Sequence, residues 1–179
     1  EGLLVTNHHR VVGILQEHST PQANLSQDGY LARTRAEEKR ASAYRVQVLR
    51  AFRDVTAEVL AAVPAGAGDL ERFRAVEAKQ KALVAECERK PDTRCQFAEF
   101  DGGLFFTLTE FEELRDVRLV YAPPAGVGNY GGEIDNWAWP RHTGDWSFLR
   151  AYVGPDGKPA EPSKANVPYR PAQHLKIAT

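Results

Sequence analysis

The chain opens on a short apolar run, Leu3 to Thr6, which stops at Asn7-His8-His9. An apolar run of this length predicts a strand, and it leaves both histidines where that strand exits its sheet. From Gln16 to Lys39 the residues are mostly polar, and Pro21, Asn24, Ser26, Asp28 and Gly29 supply turn chemistry, so an irregular surface loop with a short helix is expected there. Tyr44, Val46 and Val48 then alternate with Arg45, Gln47 and Leu49, the pattern of a half-buried strand. Asp54-Val-Thr56 opens a helical stretch to Val63, and Pro64-Ala-Gly-Ala-Gly68 ends it. Asp69 is placed to cap a longer helix, in which Leu70, Phe73, Val76, Leu83, Val84 and Cys87 recur at three- and four-residue steps on one face.

Beyond Cys95 the pattern returns to strands. Gln96 to Leu108 and Val117 to Tyr121 are rich in Val, Leu, Phe and Tyr, bounded by Asp101-Gly-Gly103 and by Pro123-Pro124. Gly126 to Gly132 holds four glycines, and a dense aromatic and polar stretch, Asp135 to Asp145, follows. Trp146 to Val153 reads as another strand, and the Pro-rich residues from Gly154 onward as a connector. The sum is a mainly β fold of α+β class, with a helical insertion over about residues 54–90 between its early and late strands.

Composition narrows the function classes. With 42% hydrophobic and 26% charged residues over 179 positions, the chain has globular composition and enough length to bury a core. Its 23 basic and 24 acidic side chains nearly cancel, which argues against a nucleic-acid partner or an anionic membrane surface. No run approaches the roughly 18 apolar residues of a membrane span. Glu1-Gly-Leu-Leu-Val-Thr6 reads as a strand already under way, and Met is absent throughout, so the chain is expected to be cut at both ends. The two cysteines, Cys87 and Cys95, flank Pro91-Asp92 at a spacing that leaves a small disulfide loop and two free thiols both open.

Three groups of residues carry candidate chemistry. His9, after an apolar strand and facing a cleft, suits a general base that takes a proton from a nucleophilic hydroxyl and returns it to a leaving amine; a structural histidine pair is the alternative. Asp145, leading into the strand from Trp146, is placed to hold that imidazole in one tautomer, unless it is simply a turn residue. The order His, then Asp, puts any nucleophilic serine after Asp145. Only Ser147 and Ser163 follow, neither in a glycine-flanked turn that would present an oxyanion site, and Ser19, Ser26 and Ser42 come too early. The third group, Asn136 and Trp137 with Trp139, offers an amide carbonyl beside an indole, a receptor for a substrate α-ammonium group, or else core packing. A metal site built from His8, His9, His142 and Glu133 lacks an HExxH-type spacing, and adjacent histidines on extended chain point to opposite faces, so no metal is expected. Gly126 to Gly132 is not a phosphate loop: no Lys-Ser/Thr follows, and no helix is expected to begin there.

Taken together, these residues resemble the bacterial dipeptidyl-peptidase 7 and dipeptidyl-peptidase 11 family of serine exopeptidases. The likeness runs through Gly-Leu-Leu-Val-Thr-Asn-His-His, residues 45–58, residues 116–124, and residues 128–145 with their Asp-Asn-Trp-x-Trp-Pro-Arg-His-Thr-Gly-Asp pattern. It implies part of a chymotrypsin-like double β-barrel peptidase domain truncated at both ends, with the serine-bearing second barrel and a separate helical domain lying outside residues 1–179. It also implies His9 as the base, Asp145 as its orienting carboxylate, and Asn136 and Trp137 as ligands of the substrate's free N-terminus. Two positions depart from the family pattern: Arg10 stands where Cys usually follows the base, and Glu133 where Asp is usual.

The resemblance further implies a periplasmic or cell-surface enzyme, which suits a Cys87–Cys95 bridge, and a homodimeric parent. The expected function is a serine dipeptidyl aminopeptidase that releases dipeptides from the free N-terminus of oligopeptides, without a cofactor. These 179 residues alone, lacking the serine, are expected to be inactive. A non-catalytic peptide-binding relative and a metal-dependent hydrolase are the alternatives.

Overall fold

The computed structural model describes residues 1–130 and 143–171. They form two compact units, residues 1–46 with 114–179 and residues 47–113, each with its own sheet.

The first unit is organised by β1 (Leu3–Thr6), β7 (Asp116–Ala122) and β8 (Ser147–Val153). β8 lies at the centre, antiparallel to β1 through the pairs Leu3↔Arg150 to Thr6↔Ser147, and antiparallel to β7 on its other side. Three two-residue strands complete the sheet: β2 (Tyr30–Leu31) and β3 (Lys39–Arg40) pair with β7, and β9 (Val167–Pro168) pairs with β8.

Helix α1 (Val12–His18) supplies one side of the core. Val11, Ile14 and Leu15 stand at helical spacing and are essentially inaccessible, packed with Val117, Leu119 and Leu149 from the sheet. The span from Gln16 to Lys39 is therefore more ordered than its polar composition suggests. It holds the end of α1, the one-turn α2 (Leu25–Asp28), and β2 and the start of β3. Gly29 ends α2 with φ +76°, where a Cβ would lie 2.6 Å from the Pro124 nitrogen, so this turn needs glycine for both backbone conformation and space.

Residues from Gly154 onward are likewise more than a connector. Asn166, just before β9, donates to Asp116 Oδ2 at 2.9 Å, and Arg118 grips the same carboxylate with two hydrogen bonds of 2.9 and 2.6 Å. Burial alone would raise the pKa of Asp116, which is fully inaccessible, but these hydrogen bonds and the Arg118 charge outweigh it and hold the carboxyl below its usual range. Beside it, Glu38 accepts from Arg150 Nε at 2.8 Å and from Tyr152 OH at 2.7 Å. Burial, then the hydrogen bond to Glu38, pushes the Tyr152 phenol up to about 12. The Arg118 guanidinium sits 4.0 Å from the Tyr152 ring centroid. This network locks β7 and β8 together, and β8 is the strand that Asp145 leads into.

The second unit holds the sheet β4-β6-β5, formed by β4 (Val46–Asp54), β5 (Thr93–Phe100) and β6 (Phe105–Leu114). The Asp101-Gly-Gly turn joins β5 to β6 as an antiparallel hairpin, with Asp101 at φ 52° and Gly102 at φ 64°. α3 (Thr56–Leu60) and α4 (Asp69–Cys87) fall within the expected helical insertion. Asp69 is the first residue of α4, and the N-cap is Gly68 rather than the expected Asp69. Val76 and Leu83 are buried with Val55, Val59, Phe106 and Leu108, while Leu70 and Phe73 are exposed. The apolar face read from spacing is thus buried only over its later turns; at its start it is interrupted by Glu71, Arg72 and Arg74, and Arg72 reaches out to the Gly103 carbonyl instead. A disulfide joins Cys87 at the end of α4 to Cys95 on β5.

Candidate active site

His9, the expected base, and Asp145, its expected orienting carboxylate, are brought together by β1 and β8. The two strands run antiparallel with Thr6 opposite Ser147, so the chain just after β1 and the chain just before β8 emerge side by side. Asn7, His8 and His9 leave at that point, and Asp145 arrives there. This register places residues 136 positions apart within hydrogen-bonding distance: His9 Nδ1 lies 2.7 Å from Asp145 Oδ2. The His9 backbone N–H donates to Asp145 Oδ1 at 3.0 Å, so imidazole and main chain hold both carboxylate oxygens.

Asn7 was not singled out by its sequence, yet its Nδ2 donates to Asp145 Oδ2 at 3.2 Å and to the Asp145 carbonyl at 3.3 Å. A short polar residue between a strand and a histidine pair has no periodic or spacing signature; only the fold reveals its role.

Burial pushes the Asp145 pKa up, but the His9 N–H, the His9 imidazole and the His9 charge outweigh it, and the carboxyl is held below its usual range. Asp145 is therefore ionised at neutral pH and accepts from His9 Nδ1. The second ring nitrogen, Nε2, then carries the lone pair that a base requires. The His9 side chain is 66% exposed, so Nε2 is presented to an approaching group.

His8 has the opposite environment. The chain does not run extended here, as expected from sequence, but turns through a single 3-10 turn, His8–Arg10. The turn buries His8 to 3% exposure while leaving its neighbour open. Burial lowers the His8 pKa, with the Asp145 charge opposing and the His9 charge adding to the shift, so His8 is neutral at neutral pH. Arg10 is held through its carbonyl, which accepts from the Tyr44 hydroxyl.

A further correction concerns the glycine-rich stretch. A one-turn helix, α5 (Ala125–Gly128), begins there where none was expected: Pro124 is its N-cap, and the Pro124 carbonyl accepts from the Val127 and Gly128 N–H groups, both at 2.9 Å. The carbonyls of α5 bind the segment leading to Asp145: Gly144 N–H donates to Val127 O at 2.8 Å, and Thr143 Oγ1 to Gly128 O at 3.0 Å.

Asn136 and Trp137, the expected ligands of a substrate N-terminus, lie outside the described residues, as do Trp139, Glu133 and His142. Among the described residues no cluster of metal-ligating side chains occurs. None of the described serine hydroxyls hydrogen-bonds to His9. Ser147 is fully buried on β8, Ser19 Oγ donates to the Leu15 carbonyl, Ser42 Oγ to Glu17, and Ser163 Oγ accepts from the Ala165 N–H.

Residues 1–179 match the Peptidase S46 family. The chain is 42% identical over 178 residues to an Asp/Glu-specific dipeptidyl-peptidase of Shewanella putrefaciens, covering 99% of this chain and 24% of that protein. It is 37% identical to dipeptidyl-peptidase 7 of Porphyromonas gingivalis, again over 99% of this chain and 25% of the relative. The chain thus spans about a quarter of the length of the curated relatives it matches. Among solved structures, Porphyromonas endodontalis DPP11 in complex with substrate superposes with a TM-score of 0.85 at 36% identity, over 98% of this chain and 26% of that one. The same protein in complex with the dipeptide Arg-Asp also gives 0.85, at 38% identity.

Proposed function

The chain belongs to the peptidase S46 family, and from that premise we propose that it is the base-bearing segment of a serine dipeptidyl aminopeptidase that removes dipeptides from the free N-termini of oligopeptides. The observation that carries this reading is the 2.7 Å contact between His9 Nδ1 and Asp145 Oδ2, reinforced by the His9 N–H on the other carboxylate oxygen. An isolated histidine at a strand end is common; one held through both its ring and its main chain by an ionised carboxylate is oriented for proton transfer.

In the proposed reaction His9 Nε2 takes the proton from a serine hydroxyl as that oxygen attacks the scissile carbonyl. Asp145 stabilises the imidazolium that forms, and His9 then returns the proton to the leaving amine. Water repeats the cycle to release the dipeptide. The serine, in a Gly-x-Ser-Gly turn, and the N–H donors for the oxyanion belong to family sequence outside these residues, and the first unit contributes to a chymotrypsin-like double barrel. Asn136 and Trp137 bind the substrate α-ammonium group, which sets the count of two residues. One relative, Porphyromonas endodontalis DPP11, crystallised with a substrate and with dipeptides, supports peptide as the ligand class. The Cys87–Cys95 bridge supports an oxidising location, periplasmic or at the cell surface, and the assembled protein is a homodimer.

A dipeptidyl diphenyl phosphonate with a free amine tests the base directly. The full-length protein is expected to be labelled on a single serine, with His9→Ala abolishing labelling and a chelator leaving it unchanged. Labelling that proceeds at the same rate in His9→Ala would remove His9 from the mechanism.

A further inference from the structure

We propose that Val127 and Gly128 of α5 form a clamp that sets the distance between the base and its carboxylate, with His8 and Gly144 as the two surfaces that seat on it. The proposal rests on the His9–Asp145 assignment above and adds four positioning residues to it, none of which touches the reacting atoms.

The first seat is steric. A Cβ on Gly128 would lie 2.4 Å from both Cγ and Cδ2 of the His8 ring and 2.8 Å from Nδ1, far inside van der Waals contact. Gly128 lies in a helical turn without a positive φ, so its backbone conformation does not demand glycine. The requirement comes from the His8 imidazole lying against it. Gly126, two residues earlier on the same turn, shows the contrast: a Cβ there meets nothing within 4 Å.

The second seat follows the same logic. A Cβ on Gly144 would lie 2.8 Å from Val127 Cγ1, and again no positive φ calls for glycine. Two hydrogen bonds hold this segment down, Gly144 N–H to Val127 O at 2.8 Å and Thr143 Oγ1 to Gly128 O at 3.0 Å.

The consequence is geometric. His8 is covalently adjacent to His9, and Gly144 to Asp145. Both members of the dyad are thereby referenced to two consecutive residues of one short turn, one through a ring-on-backbone contact and the other through a side chain and two hydrogen bonds. His8 is buried and neutral, so its contribution is shape rather than charge. Displacing the ring by the volume of a methyl group shifts the His8–Arg10 turn and draws His9 from Asp145. A misplacement of about 1 Å at a catalytic group costs on the order of 100-fold in rate.

Gly128→Ala in the full-length protein is expected to lower kcat for a free-amine dipeptide arylamide by on the order of 100-fold with KM little changed, because substrate binding residues are untouched. Gly126→Ala is expected to match wild type. The double variant Gly128→Ala/His8→Ala is expected to recover part of the loss seen in Gly128→Ala, since removing the ring removes the clash. Independently of turnover, the low-field proton resonance of His9 Nδ1 is expected in wild type and lost in Gly128→Ala. Wild-type kcat together with a retained low-field proton in Gly128→Ala would overturn the clamp. Failure of the wild-type protein to cleave any free-amine substrate would overturn the peptidase reading, while the proton resonance would still decide the clamp.

Discussion

Asp145→Asn in the full-length protein is expected to reduce kcat by about 10⁴-fold with KM for short peptides little changed. The cause lies in the two-pronged contact at the start of β8. Asp145 accepts from His9 Nδ1 at 2.7 Å through one oxygen and from the His9 N–H at 3.0 Å through the other. An asparagine fits the same space, but only one of its two terminal atoms accepts. If the amide oxygen keeps the main-chain N–H, its NH₂ group faces Nδ1 and favours the tautomer with the proton on Nε2, where it blocks base catalysis. The imidazolium formed during attack also loses its counter-charge. Loss in kcat rather than KM is the signature of an interaction made in the transition state. A tenfold or smaller loss would show that His9 is oriented by something else. Asn7, whose amide approaches the same carboxylate at 3.2 Å, would then be the residue to examine.

Glu38→Ala is expected to be the most damaging substitution for stability, by about 3–5 kcal/mol. The Glu38 side chain is 2% exposed and serves two strongly polar groups, Arg150 Nε at 2.8 Å and Tyr152 OH at 2.7 Å. Arg150 is itself only 16% exposed, so removal of Glu38 leaves a largely buried guanidinium without its counter-ion and a buried phenol without its acceptor. Hydrogen exchange across β8 measures this locally, with amides of residues 147–153 expected to lose protection. Because Asp145 lies two residues before β8, activity should fall before the rest of the molecule unfolds. The double variant Glu38→Ala/Arg150→Met should recover much of the stability, since the penalty lies in the orphaned charge rather than in the missing pair. Unchanged protection in Glu38→Ala would show that the network adds nothing to β8.

The principal strands are legible in the sequence because each is an apolar or alternating run. β1, β7 and β8 fall where Leu3–Thr6, Val117–Tyr121 and Trp146–Val153 placed them, whereas the Gln96–Leu108 stretch covers most of β5 and only the start of β6, which runs on through Glu110, Glu112 and Glu113 to Leu114. α4 shows its period over five turns. What escaped is what local pattern does not encode. β2, β3 and β9 are two residues each, and they exist only because β7 or β8 offers a free edge at that register. α1 is seven residues long, too short for Val11, Ile14 and Leu15 to stand out from the polar stretch that follows.

The site divides along the same line. Chain order and resemblance single out His9 and Asp145 as the candidate pair. Their meeting is a product of the Thr6↔Ser147 register, which no short window contains. Asn7 and the contacts of His8 with Gly128 and of Val127 with Gly144 carried no signal. A glycine required by a distant imidazole looks, in sequence, like any other glycine in a glycine-rich stretch.

The most direct test of the central claim is steady-state hydrolysis of matched dipeptide arylamides, one with a free α-amine and one N-acetylated, by the full-length protein. Both acidic and hydrophobic side chains should be tried at the residue before the scissile bond. Cleavage of the free-amine substrates alone is expected, with Asn136→Ala and Trp137→Ala raising KM for them. Equal cleavage of the acetylated partners would contradict that claim.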